Sequence, residues 1–207
     1  MMACTRRFRN GMLTWQPFSY QQSNGSCWIT SVHNGLLYLL GGSDHMDHYV
    51  SRMFYVLTSP EGTYPDEAEI LLRLVNENRK LGVRARIIEK GSLDARRLRA
   101  LLRKRDSVLI TDTLSGTHSI LLIGLDGDDI VAFDPDWDNV RDLKRVPGAY
   151  ACCPFEMYDG RPVLNAHFNA RIRLDHFLKT RTVNGYDQRF VMGAASKRFV
   201  LELMRDR

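Results

Sequence analysis

Two apolar runs, His118 to Leu125 and Asp129 to Phe133, stand only three residues apart, across Asp126-Gly127-Asp128. An Asp-Gly step between apolar stretches is a strong signal for a tight antiparallel hairpin, because glycine enters the left-handed backbone region without a steric penalty. Ser107 to Thr113 is equally apolar and is bounded by charge and by Ser-Gly, which predicts a third strand beside the pair. Gly82 to Glu89 alternates Val83, Ala85 and Ile87 with Arg84 and Arg86, the period of a strand with one buried face. Further strands are expected near Ala166–Arg173 and Arg198–Met204, with a short helix around Leu174–Lys179 between them.

The first half reads as helical. Ser23-Asn24-Gly25-Ser26 is turn and cap chemistry, Cys27 opens a run that continues to about Leu40, and Gly41-Gly42 ends it. Helices are also expected over roughly His45–Leu57 and Pro65–Lys80, the latter with Ile70, Leu71, Leu74 and Val75 on one face. Helices first and antiparallel sheet second make an α+β layout. The 207 residues suffice for one real core and are few for two, so residues 1–207 are read as a single domain.

Several function classes recede on composition. No stretch approaches the roughly 18–20 apolar residues needed to span a bilayer. The basic N-terminus, Met1 to Asn10, is not followed by the apolar core of a secretory signal. The four cysteines, Cys4, Cys27, Cys152 and Cys153, form no CxxC pair, and neighbouring cysteines rarely bridge each other; this points to a reducing, cytoplasmic setting. Net charge is +5, part of it in the run Arg96 to Arg105. Leu98, Leu101 and Leu102 recur there at helical spacing, so the run is read as the solvated face of an amphipathic helix over Leu93–Lys104. No helix-turn-helix, zinc-finger or base-stacking motif accompanies it, and no specific nucleic-acid binding is expected.

The residues with chemistry are spread along the chain. A cysteine in the first turn of a helix sits at the positive end of the macrodipole, which favours thiolate, the nucleophilic form. Gln21, six residues upstream of Cys27, has a side-chain amide suited to donating to an oxyanion alongside the Cys27 N–H. His118, at the start of a strand, is a base able to hold the thiolate as an ion pair, and Asp134-Pro135 follows the hairpin with a carboxylate suited to orienting the ring. Their meeting depends on parity. A two-residue turn at Asp126-Gly127 pairs Ser119 with Asp134 and puts His118 on the opposite face. A three-residue loop over Asp126–Asp128 pairs Ile120 with Asp134, which brings His118 to the Asp134 face with Asp136 directly across from it. A catalytic arrangement therefore demands an odd loop, or a bulge with the same effect, and Asp136 is the alternative third member.

This set, Gln21, Cys27-Trp28, strand-borne His118 and Asp134-Pro135, resembles the papain-fold cysteine peptidases. It is most similar to the stand-alone relatives of the bacteriocin-processing, double-glycine leader peptidases. The resemblance covers roughly Gln16 to Trp137 and implies a papain-like fold, Cys27 as nucleophile, His118 as general base, Asp134 as its orienter and Gln21 as oxyanion donor. It also implies a peptide or protein substrate and no cofactor. Trp28 is more papain-like than that branch, which usually has a small residue there, and the chain from Arg141 onward matches no motif of the family.

Other residues carry less. His45 and His48 share a helix face in Asp44-His45-Met46-Asp47-His48, but without an identifiable third ligand no metal site is assigned. His33 lies roughly 9 Å along the helix from Cys27, too far for its base. Trp28 and Trp137 are candidates for lining the cleft or shielding the triad. His167, His176 and Cys152-Cys153 have no chemical context. The same site also fits acyl transfer to an amine, and a catalytically silent binding module is the reading outside enzymology.

Overall fold

The computed structural model describes residues 8–9, 12–13, 26–40, 68–113, 118–136, 148–151, 155–158, 161–164, 168–179 and 199–206. The expected helix at His45–Leu57 lies outside them, as do Gln21, Trp137, His167, Cys4, Cys152 and Cys153. Strands β1 (Phe8–Arg9) and β2 (Met12–Leu13) form a short ribbon. Then come β3 (Val83–Glu89), β4 (Ser107–Asp112), β5 (Ser119–Asp126), β6 (Asp129–Phe133) and β7 (Ala149–Ala151). A second ribbon pairs β8 (Phe155–Tyr158) with β9 (Arg161–Leu164), and β10 (Ala170–Arg173) and β11 (Phe199–Arg205) complete the set. The helices are α1 (Cys27–Leu40), α2 (Ala68–Glu77), α3 (Ala95–Leu102) and the single turn α4 (Leu174–Phe177). The chain is α+β.

Seven strands make one antiparallel sheet in the order β3-β11-β4-β5-β6-β10-β7. Helices cover both faces. Val108, Ile110, Leu121, Ile123, Leu201 and Leu203 pack with α1 and α2. Their strand neighbours Leu109, Ile120, Leu122 and Val200 pack with Leu98, Leu101 and Leu102 of α3 and with Leu174 and Phe177 of α4. Double coverage explains why Ser107–Asp112 reads as a continuous apolar run: every residue of β4 is buried. β3 is an edge strand whose expected alternation holds only as far as Arg86: Val83 and Ala85 are buried, but Ile87 is 38% exposed and Ile88 is buried instead, on the α3 side. The Asn76 side chain caps that edge, donating to the Ala85 carbonyl at 2.9 Å and accepting from the Ala85 N–H at 2.8 Å. An open edge is a template for unwanted pairing, and this amide occupies one rung of it.

Helix α1 has almost no wet side, with eleven of its fourteen residues buried. Gly35 sets how closely it approaches the sheet: a Cβ there would lie 3.1 Å from Leu203 Cδ1 and 3.2 Å from Val108 Cγ2. The basic α3 is amphipathic as expected, capped by Asp94, whose carboxylate accepts from the Arg97 N–H at 2.6 Å. Among the described residues, no helix is long and apolar enough to cross a membrane.

The hairpin differs from both loops considered from the sequence. Asp126 pairs with Asp129, so the turn is the two residues Gly127-Asp128, with Gly127 at φ +63°. An even turn alone would place His118 and Asp134 on opposite faces. Between Leu122 and Gly124, however, the register shifts by one, and beyond that point Leu121 pairs with Phe133. The bulge at Ile123 is visible in the packing: Leu122 and Leu125, three residues apart, both pack on the α3 side. Continuing the shifted register sets Ile120 opposite Asp134 and returns His118 to the Asp134 face.

Candidate active site

Cys27 is the first residue of α1, and the helix starts with the Thr30 N–H donating to the Ser26 carbonyl at 3.0 Å. The thiol is buried, 5% exposed. One turn on, the Ser31 hydroxyl donates to the backbone carbonyl of Ser119 at 3.3 Å, tying the cysteine helix to the residue after His118. His118 is held in turn from just past the end of β4, where Thr113 donates its N–H to the His118 carbonyl at 2.9 Å.

The His118 ring meets both expected partners. Its Nε2 lies 2.8 Å from Asp134 Oδ1, and its side chain hydrogen-bonds Cys27. Asp134 Oδ1 also accepts the Asp136 N–H at 2.9 Å. A carboxylate oxygen is an acceptor only, so the proton of the histidine–aspartate bond sits on Nε2. Burial alone drives the His118 pKa down. The Asp134 carboxylate, by charge and hydrogen bond, overcomes this together with Cys27 and lifts it to about 10.

The structure thus brings Cys27, His118 and Asp134 together. Asp136 enters the site through its backbone, donating to Asp134, while Asp134 holds the ring. Trp28, 2% exposed, is part of the α1-side core. Gln21 and Trp137 lie outside the described residues, as do His45 and His48. No cluster of metal-ligating side chains occurs among the described residues. His33 sits along α1, and burial lowers its pKa. A groove of about 720 Å³ runs along the β3 edge, past Arg79, Arg84, Arg86 and Asp206, and none of the three site residues lines it. Two of its arginines are already paired, Arg84 with Asp206 and Arg86 with Glu202.

Asn169, which no sequence signal singled out, completes the support. The backbone ladder between β6 and β10 ends with the Asn169 N–H on the Ala132 carbonyl at 3.1 Å. From there the Asn169 side chain takes over. It accepts the Asp134 N–H at 2.7 Å and donates to the Asp134 carbonyl at 2.7 Å. Both residues are fully buried. A second buried polar group flanks His118 on the β4 side: Ser119 Oγ donates to Asp112 Oδ1 at 2.5 Å, and Lys90 Nζ donates to the Asp112 carbonyl at 2.6 Å. Comparison with protein-family models, with curated proteins and with solved structures finds no match to this chain.

Proposed function

We propose that the chain is a thiol-dependent hydrolase of papain-like fold that cleaves a peptide or amide bond. One observation carries this: a cysteine at a helix N-terminus is hydrogen-bonded to a buried histidine, whose far nitrogen is held by a buried carboxylate. An imidazolium and a helix N-terminus each favour thiolate over thiol. With Nε2 committed to Asp134, Nδ1 is the nitrogen that serves the sulfur. The Cys27 thiolate attacks the scissile carbonyl, and the oxyanion is met by the Cys27 N–H and the Gln21 amide. His118 then gives its Nδ1 proton to the leaving amine, and a cysteinyl thioester remains. Water, deprotonated by the now neutral His118, attacks the thioester and restores the thiolate and the imidazolium. The balance requires no cofactor. A reduced thiol is essential, which fits the cytoplasmic setting read from the cysteines.

Cys27→Ala is the direct test. Iodoacetamide labelling at neutral pH, mapped by peptide mass spectrometry, is expected to be faster at Cys27 than at Cys4, Cys152 and Cys153 in the parent chain; the variant should lose that fast phase and all turnover. Turnover retained in Cys27→Ala would falsify the proposal.

A further inference from the structure

We propose that Asn169 is a positioning residue for the Cys27–His118 pair, acting through the backbone of Asp134. The inference rests on the hydrolase reading and extends it to a segment with no recognisable motif.

The geometry is specific. Asp134 is the first residue past the end of β6, so the sheet itself does not fix its backbone. Its N–H and carbonyl both point to one side chain, the Asn169 amide, at 2.7 Å each. An amide presents one acceptor and one donor at about the spacing of a backbone peptide, so it serves as an extra rung of the ladder. Asp134 also carries a tension that such a clamp must restrain. Oδ1 accepts from His118 and from Asp136, while Oδ2 is buried and has no hydrogen-bond partner among the described residues. Left to rotate or shift, the carboxylate would seek a partner for Oδ2 at the expense of the His118 bond, because an unsatisfied buried polar atom is costly. Asn169 holds the Cα of Asp134 in place, and the Asp136 N–H holds its rotamer.

The same amide geometry at Asn76, on the β3 edge, meets the backbone of Ala85, beside a groove that none of the three site residues lines. Among the described residues a bidentate asparagine thus occurs at Asn76 and at Asn169, and the one that holds Asp134 bears on the His118–Cys27 pair.

The test uses the full chain and iodoacetamide as probe. Alkylation rates at Cys27 are measured from pH 5 to pH 10, and the His118 ring is titrated by NMR, in the parent, Asn169→Ala, Asp134→Ala and the double variant. Among the described residues, the titratable groups near His118 are Cys27 from α1, Asp134 and Asp136 beyond β6, and Asp112 with Lys90 beyond Ser119, and each single variant leaves the others intact. In Asn169→Ala the neutral-pH rate is expected to fall by about 10- to 100-fold, the scale of a catalytic group misplaced by an ångström. The His118 midpoint should move from about 10 towards 6.5. The double variant should behave as Asp134→Ala does, because an effect relayed through Asp134 disappears with it. A variant that melts earlier but keeps the parent pH profile and rate overturns the proposal, as do effects that simply multiply in the double variant. Asn169→Asp, isosteric and retaining one of the two hydrogen bonds, answers the same question if the alanine variant does not fold. A parent chain whose Cys27 is no more reactive than a free thiol defeats the hydrolase reading itself, a result distinct from a reactive parent matched by an equally reactive Asn169→Ala.

Discussion

Asp134 and Glu202 are both fully buried carboxylates, and the protein satisfies them in opposite ways. Glu202 sits mid-strand in β11, and each of its oxygens meets a cation that reaches in from solvent: Lys104 at 2.8 Å and Arg86 at 2.5 Å, their side chains 44% and 50% exposed. Asp134 is served by a buried imidazole and a backbone N–H on one oxygen, and among the described residues by nothing on the other. Pairing and full hydrogen bonding are what a buried charge needs to be tolerated. Glu202 meets that standard, while Asp134 falls short and depends on a partner whose charge changes with pH. A native core rarely keeps such a deficit without cause. The proposed hydrolysis, which moves the His118 proton, would supply one.

The contrast is broken most directly by truncating each carboxylate. Asp134→Ala is expected to lower turnover by about 10²- to 10⁴-fold, the usual contribution of an oriented general base. Glu202→Ala should leave turnover unchanged, since its partners are not part of the site. Steady-state rates of the two variants decide it, and equal losses would erase the distinction between a working carboxylate and a structural one.

Removing the partners reverses which variant is instructive. Arg86→Ala combined with Lys104→Ala leaves Glu202 buried and uncompensated, with an expected loss of about 3–5 kcal/mol in urea unfolding. His118→Ala strands Asp134 in the same way and should cost a comparable amount. Glu202→Ala costs less than either, because both cations turn outward into water on their flexible stems. A small loss in the double variant would mean that water reaches Glu202 and that the two carboxylates are not alike in burial.

Acidity separates the pairs further. The folded-state pKa of His118, about 10, lies above its ordinary 6.5. The imidazolium therefore contributes stability that is fully present below about pH 6.5 and is lost as pH rises through about 10. Unfolding free energy measured from pH 6 to pH 10 is expected to decline across that window. The decline should shrink in Asp134→Asn, where the carboxylate that raises the pKa is gone. A parent profile that is flat over the window would show that His118 is neutral in the folded chain.

What the sequence made legible follows from how local each feature is. The bounds of α1 and of β6 could be read off, because a cap, a glycine stop or a hairpin step sits within a few residues of each. The parity of the hairpin could be posed but not solved. Whether a bulge falls at Ile123 depends on Leu125 packing against the α3 side while Ile123 packs with α1, contacts made by distant segments. The placement of β11 between β3 and β4, and the grip of Asn169 on Asp134, join residues 35 to more than 100 positions apart, and no local pattern marks them. The motif favours Asp134 over Asp136, and in the folded chain the Asp136 N–H donates to the Asp134 oxygen that meets the ring.

The smallest effect is also the sharpest discriminator. Arg86→Ala alone leaves Glu202 with Lys104, so the expected loss is about 1 kcal/mol, already reduced because half of the Arg86 side chain is in water. That pair reaches into solvent and should respond to ions: at about 1 M salt the screening length falls to about 3 Å, and the difference between parent and variant should shrink. The His118–Asp134 pair, 9% and 0% exposed, lies beyond the reach of the ion atmosphere. The destabilisation caused by His118→Ala should therefore hold its size in the same salt series. Parallel salt slopes for the two variants would place both carboxylates in one dielectric environment, and the difference between them would then rest on Oδ2 of Asp134 alone.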